Sequence, residues 1–179
     1  ETVFDHAIAK GLRRGANPAR WKGHLEQLLP KRQKLVRGHF AALPYAEAPA
    51  LMKLLQKTPS IAAYALQFLI LTAARGKMIR GMRWEEIDGD VLTVPADRMK
   101  HNRDFMIPLS TGALGVLKEV PRIHDLVFPV SAPTMGALTQ PHGCTVHGFR
   151  STFKDWATEQ TDHAWETSEQ ALAHQVGDM

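Results

Sequence analysis

Thr145-Val146-His147-Gly148-Phe149-Arg150-Ser151-Thr152-Phe153 is the stretch on which the reading of this chain turns. Thr145 can cap a helix, because a hydroxyl accepts one of the first unpaired backbone amides. The spacing then predicts a helix to about Glu159, with Phe149, Phe153 and Trp156 on its buried side. His147 and Arg150, three residues apart, fall together on the opposite face. A helix that carries an imidazole and a guanidinium on one stripe offers a proton acceptor beside a permanent cation. A ligand with both a charge to hold and a proton to move would use such a pair.

Downstream, a last helix is expected over Trp165 to His174, closing on Leu172-Ala173-His174-Gln175-Val176-Gly177. By itself His174 reads equally well as a histidine favoured by the negative end of a helix dipole. Upstream, Trp84–Asp88, Asp90–Val94 and Asp104–Pro108 have strand character, and residues 95 to 103 form the turn between the last two. That turn holds Arg98, Lys100, His101 and Arg103. Taken alone, a turn lysine is a solvated charge. Ala46–Gln56 and Ile61–Leu71 read as amphipathic helices, the second with Ile61, Ala65, Phe68, Leu69 and Thr72 along one side. Arg75 follows it in Thr72-Ala73-Ala74-Arg75, where it could equally cap a helix end on the surface. A short helix then carries Met78, Ile79 and Met82, and Ser110 or Thr111 caps another through Val120. The fold class is mainly α with a small antiparallel β-sheet.

The amino-terminal part differs in character. Val3, Phe4, Ala7, Ile8 and Leu12 have helical spacing, and Gly11 with Gly15 marks a stop. Asn17-Pro18 opens a second helix, with Trp21, Leu25, Leu28 and Leu29 as its apolar face, and Pro30 ends it. Two such helices are too little for a core of their own. Residues 30 to 43 lack periodicity and read as a basic linker holding Lys31, Arg32, Lys34 and Arg37. The domain reading is therefore 1–29, a remnant of an upstream domain, 30–43, a linker, and 44–179, the main domain.

Composition narrows the function classes. The 179 residues are 44% hydrophobic, which excludes wholesale disorder, and no apolar run approaches a membrane span. The net charge of +4 is unevenly spread: residues 1 to 40 hold nine Lys or Arg against three acids, whereas the remainder holds more acids than bases. A segment that tracks a polyanion has this footprint, and so does a solvated basic helix with its linker. A single cysteine, Cys144, permits no internal disulfide and fits a reducing, cytoplasmic compartment. His142, Cys144 and His147 lack the second tight cluster of a zinc site. There is no Gly-rich phosphate loop with a lysine, and no set of acids for two-metal nuclease chemistry. No metal or other cofactor is expected.

Arg75, Lys100, the His147-Gly148-Phe149-Arg150 quartet and His174, in that order and over this span, resemble the catalytic boxes of the tyrosine recombinases. The likeness is closest to integrases of temperate phages and genomic islands. The resemblance implies that Arg75 and Arg150 clamp the scissile phosphate and that His174 hydrogen-bonds a non-bridging oxygen. It implies that His147 assists proton transfer from the nucleophilic tyrosine and that Lys100 protonates the departing 5′ oxygen. Arg98, His101 and Arg103 would contact the DNA backbone near the cut, and Lys31, Arg32, Lys34 and Arg37 would follow it in the linker. Residues 1–29 would be the end of a core-binding domain.

The family's activity would be integration and recombination at attachment sites through a 3′-phosphotyrosyl bond. Its partners would be double-stranded DNA, three further protomers in a tetramer, a DNA-bending host factor and an excisionase. A nucleoid-associated location would follow. Two departures stand out. Met78 replaces the acid usually found three residues after the first arginine. The two tyrosines, Tyr45 and Tyr64, both precede Arg75, whereas the family's nucleophile follows the last histidine, so the chain is expected to stop short of it and to be inactive in cleavage. The other readings are a non-catalytic DNA-binding remnant or regulator, and a type IB topoisomerase-like enzyme.

Overall fold

A computed structural model describes residues 1–29, 40–99 and 102–174. The chain divides into two compact units, Glu1–Gly38 and His39–Met179.

The first unit holds helix α1 (Thr2–Ala9) and a kinked segment over Trp21–Leu25 that runs into one helical turn, α2 (Glu26–Leu28). The continuous second helix expected from Asn17-Pro18 does not form. Gly23 adopts φ 74°, a left-handed conformation that interrupts the helical hydrogen-bond ladder, and Lys22 is extended. None of the residues in these three segments is buried, and Val3 and Leu12 are each 79% exposed. The apolar spacing of this region thus does not build a core within the unit.

The second unit is organised around α4 (Ile61–Thr72), which packs against α3 (Ala48–Gln56), α5 (Gly76–Arg80), α6 (Thr111–Glu119), α7 (Ala132–Thr139) and α8 (Phe149–Gln160). The chain ends its described part with α9 (Trp165–Ala171). Ser60 caps α4 by accepting the Ala63 amide at 3.1 Å, and Ser110 caps α6 in the same way from Ala113 at 3.2 Å. The expectation of an amphipathic α4 is corrected: Ala62, Ala63, Ala65, Leu66, Gln67, Phe68 and Leu69 are all buried, so the helix is enclosed nearly all round. Helix α7, capped by Ser131, lies in a stretch to which the sequence reading assigned no element.

The sheet is antiparallel in the order β1 (Ile87–Asp88), β2 (Val91–Val94), β3 (Phe105–Pro108), with Leu92 opposite Ile107 and Val94 opposite Phe105. Leu92, Val94 and Ile107 point into the core, as the two-residue period of a strand requires. Trp84–Glu86, expected as strand, is a single 3-10 turn. The Glu86 carboxylate accepts the Arg83 amide at 3.0 Å and so closes that turn.

Helix α8 begins at Phe149, later than the Thr145 cap suggested. Thr145 instead closes a preceding turn, its hydroxyl accepting the Gly148 amide at 3.0 Å. The faces of α8 are also corrected. Phe149 is buried as expected, but Trp156 is 44% exposed and Arg150 is only 5% exposed. Arg150 thus faces the interior, where polar groups meet it.

The segment Ala41–Leu43 lies against the start of α8 and belongs to this second unit, although the linker reading ran to residue 43. The Thr145 amide donates to the Ala41 carbonyl at 2.9 Å, and the Thr152 hydroxyl donates to the Leu43 carbonyl at 2.6 Å.

Candidate functional site: a buried guanidinium clamp

Arg150 projects from the first turn of α8 towards the end of α4 and the end of α9. Its Nη1 donates to the Ala73 carbonyl at 2.8 Å, and its Nη2 donates to the Leu172 carbonyl at 2.5 Å. The same Nη2 lies 3.0 Å from His174 Nε2. A guanidinium has donors and no acceptor, so in this pairing Nε2 is the acceptor and the imidazole proton sits on Nδ1. Nδ1 in turn lies 2.6 Å from Glu169 Oε2, and Glu169 Oε1 lies 2.6 Å from Lys154 Nζ. Two side chains of α8 one turn apart, Arg150 and Lys154, are thereby linked to two side chains at α9, Glu169 and His174.

Arg75 caps the start of α5, and its Nη2 donates to the Ala173 carbonyl at 2.9 Å. Ala73 and Ala173 both have left-handed backbones, at φ 50° and 51°. That conformation is costly for a residue with a Cβ. In each case the alanine's carbonyl receives an arginine, so the tertiary hydrogen bond helps hold the strained turn.

The electrostatics follow from this crowding. Burial, and then the charge of Arg75, bring the Arg150 guanidinium down to about 10, still well above neutrality. Arg75 is lowered by burial alone. His147 is held below the ordinary histidine range first by partial desolvation and then by the charges of Arg150 and Arg75. Its ring packs edge-on against Phe40, centroid to centroid 4.5 Å. His147 is therefore neutral at pH 7 and can accept a proton. Glu169 is held low first by Lys154 and then by His174.

The structure thus gathers Arg75, Arg150 and His174 around one backbone junction, with His147 within electrostatic reach. His174 follows α9 rather than lying inside it. Arg75 also lines an open depression of about 330 Å³ with Lys77, Met78, Asp97, Arg98 and Met99, so the β2–β3 connection borders the same region. Arg98 is drawn into an ion pair with Glu86 and a hydrogen bond to the Gly81 carbonyl, which commits it to holding that connection. Arg103 is exposed. Lys100, His101, Lys31, Arg32, Lys34 and Arg37 lie outside the described residues. Sequence reading missed Glu169 and Lys154. The signal was the coincidence of Lys154 one turn after Arg150 with Glu169 five residues before His174.

Among the described residues no group of three or more His, Cys, Asp and Glu is placed to hold a metal, and no helix is long and apolar enough to cross a membrane.

One consequence of the charge arrangement can be measured directly. In an NMR titration, His147 will protonate below about 6.5, the value of a free histidine, because a partly desolvated ring and the two guanidinium charges of Arg150 and Arg75 oppose its charge. Arg75→Ala will move its midpoint upwards. A midpoint at or above the free value in the unaltered chain would contradict the proximity of these groups.

No protein-family model matches the chain. Prophage integrase IntZ of Escherichia coli (strain K12) is 32% identical over 154 residues, covering 76% of this chain and 38% of that protein. The integrase of Shigella phage Sf6 is 26% identical over 98% of this chain and 49% of its own length. The chain thus spans half or less of these relatives. Among solved structures, a lambda integrase dimer bound to a COC′ core site shares the fold over 98% of this chain and 66% of that one, with TM-score 0.67 and 17% identity. The lambda integrase catalytic core aligns over 77% of this chain and 94% of its own, with TM-score 0.59 and 16% identity. The fold is that of the lambda integrase catalytic core, and the sequence likeness to integrases is consistent with a tyrosine recombinase catalytic domain. Within that class the sequence kinship lies with the integrases of prophages and phages.

Proposed function

We propose that these residues supply the phosphate-holding half of a site-specific DNA recombinase, which cuts and rejoins DNA through a 3′-phosphotyrosyl bond during integration of a prophage or genomic island. The observation that carries the reading is the convergence of Arg75, Arg150 and His174 on one junction, with a neutral His147 beside them. In the reaction a tyrosine oxygen attacks phosphorus and the bond to the 5′ oxygen breaks. The tyrosine proton passes to His147, and Lys100 gives a proton to the departing oxygen. Arg75 and Arg150 stabilise the negative charge that grows on the non-bridging oxygens, which is where fixed cationic donors have their largest effect. The energy of the broken bond is kept in the protein linkage, so no nucleotide or metal is consumed.

Residues 1–29 would belong to a DNA-binding unit, 30–43 to a basic linker whose last residues, 41–43, are bonded to the start of α8, and 44–179 to the catalytic domain. The backbone contacts would come from Lys31, Arg32, Lys34 and Arg37 in the linker and from His101 and Arg103 in the hairpin. Arg98 would act there mainly by holding the hairpin. The substrate is double-stranded DNA carrying attachment sites, and the working assembly is a homotetramer with a DNA-bending factor and an excisionase, in the bacterial nucleoid.

On this reading the nucleophile comes from outside these 179 residues. Tyr45 Oη donates to Glu159 at 2.9 Å, nine residues along α8 from Arg150, which is about 13 Å at the rise of an α-helix. Tyr64 stands the same number of residues before Ala73, again about 13 Å along α4. Nicked suicide substrates, scored for protein–DNA adducts on denaturing gels without metal, test the reading. The 179-residue chain will give none, and a longer integrase chain that carries these residues and a tyrosine beyond His174 will give them. Adducts from the 179 residues, or cleavage that requires a metal, would overturn it.

A further inference from the structure

Of the groups around the clamp, Glu169 has no part in the reaction just described. Its side chain is 8% exposed, and it joins two helices by contacting Lys154 on α8 and His174 beyond α9. Burying a carboxylate is unfavourable unless its oxygens are paired, and here each oxygen meets one specific partner. Lys154 also lies over the ring of Trp165, 5.7 Å from its centroid, at the opening residue of α9. The carboxylate is therefore held from one side and holds the imidazole on the other.

We propose that Glu169 is the positioning residue of the phosphate site: anchored by Lys154, it fixes the His174 proton on Nδ1 and turns Nε2 towards Arg150. This inference rests on the reading of Arg150 and His174 as phosphate ligands. The physical argument is that which imidazole nitrogen carries the proton is set by the hydrogen bond the other nitrogen makes. With Nδ1–H donated to Glu169, Nε2 accepts from Arg150 and the guanidinium is kept aligned with the Ala73 and Leu172 carbonyls. When an anion enters, the same carboxylate is in place to stabilise a doubly protonated imidazole, whose Nε2–H then becomes a donor to a phosphate oxygen.

Glu169→Gln is the informative change, because it preserves volume while leaving one acceptor oxygen for two donors. If the amide oxygen serves Lys154, its NH2 faces Nδ1. The proton must then move to Nε2, where it meets the Arg150 donors. Long-range proton–nitrogen spectra of the 179-residue chain, with His174 assigned through His174→Gln, read the tautomer without any ligand. We expect Nδ1–H in the unaltered chain and loss of that signature in Glu169→Gln. Inorganic phosphate binding should weaken by about tenfold in the variant, the scale set by carboxylates that orient a ligating histidine. Glu169→Asp, which keeps both oxygens, should restore the signature and most of the affinity. An unchanged His174 spectrum and affinity in Glu169→Gln, or Asp behaving no better than Gln, would overturn the inference. Phosphate binding that Arg150→Ala leaves intact would instead count against the clamp itself, with the tautomer result still standing on its own.

Discussion

Arg150→Ala will lower adduct formation by about 10²- to 10³-fold in a chain that supplies the tyrosine, the effect of removing one donor aimed at transition-state charge. The same change will lower the thermal midpoint of the 179-residue chain. It strips the Ala73 and Leu172 carbonyls and His174 Nε2 of their donor. Hydrogen bonds from a charged group contribute about 1.5 to 3 kcal/mol each, and unmaking them leaves buried acceptors unpaired. Part of this is offset, because burying the guanidinium is itself unfavourable enough to bring its pKa down to about 10. A net loss of about 2 kcal/mol is expected, or roughly 4 to 8 °C for a domain of this size.

Arg150→Lys separates the two effects. It keeps the charge but cannot reach two carbonyls and an imidazole at once, so the melt should recover in part and adduct formation should not. If Arg150→Lys restored cleavage, a point charge would suffice and the fork geometry would be irrelevant.

Gly148→Ala will be the most damaging single methyl in the chain. A Cβ at Gly148 would lie 2.1 Å from the Ala41 carbonyl oxygen and 2.9 Å from the Ala42 Cα. Both are backbone atoms, so no rotamer change relieves the clash. Gly148 has ordinary helical dihedrals, and the glycine is required for the close approach, not for its conformational range. Overpacking of this kind costs about 1 to 3 kcal/mol, and displacing residues 41–43 also breaks the bonds from Thr145 and Thr152, about 1 kcal/mol each. A fall in the thermal midpoint of about 10 °C should result, with faster amide exchange at Thr145, whose amide donates to Ala41. An unaltered midpoint would show that the segment before α3 is not locked onto α8.

Acid will expose the Glu169 link. A carboxylate whose folded pKa is depressed contributes stability that is complete above its unfolded value, about 4.3, and is lost as pH falls through the folded value. In the unaltered chain the thermal midpoint will fall over that window, and in Glu169→Gln the fall will be shallower. Parallel curves would mean that Glu169 is not preferentially charged in the folded protein.

Much was legible in the chain itself because its signals are local. Ser110 caps the helix that follows, alternating Leu92 and Val94 mark a strand with one buried face, and the order Arg75, Lys100, His147, Arg150, His174 carries the class. These depend on backbone amides and side-chain periods within a few residues. What sequence could not supply was depth and partnership. Arg150 was placed on an exposed stripe, because helical period turns it about 100° away from Phe149 and off the apolar side. Only the fold sets α4 and α9 over that stripe and gives the guanidinium two carbonyls to replace water. The left-handed turns at Ala73 and Ala173, where a sequence reader would look for glycine, are each held by an arginine distant in the chain that donates to the alanine carbonyl. Glu169 and Lys154 were missed for the same reason: their pairing spans two helices, and no local spacing records it. The sequence by itself determined most of the main-domain elements and the order of the reactive side chains, though not α7 or the 3-10 turn at Trp84–Glu86, whereas tertiary packing alone decided which side chains are buried, paired and aimed. Burial and pairing are properties of segments brought together from across the chain.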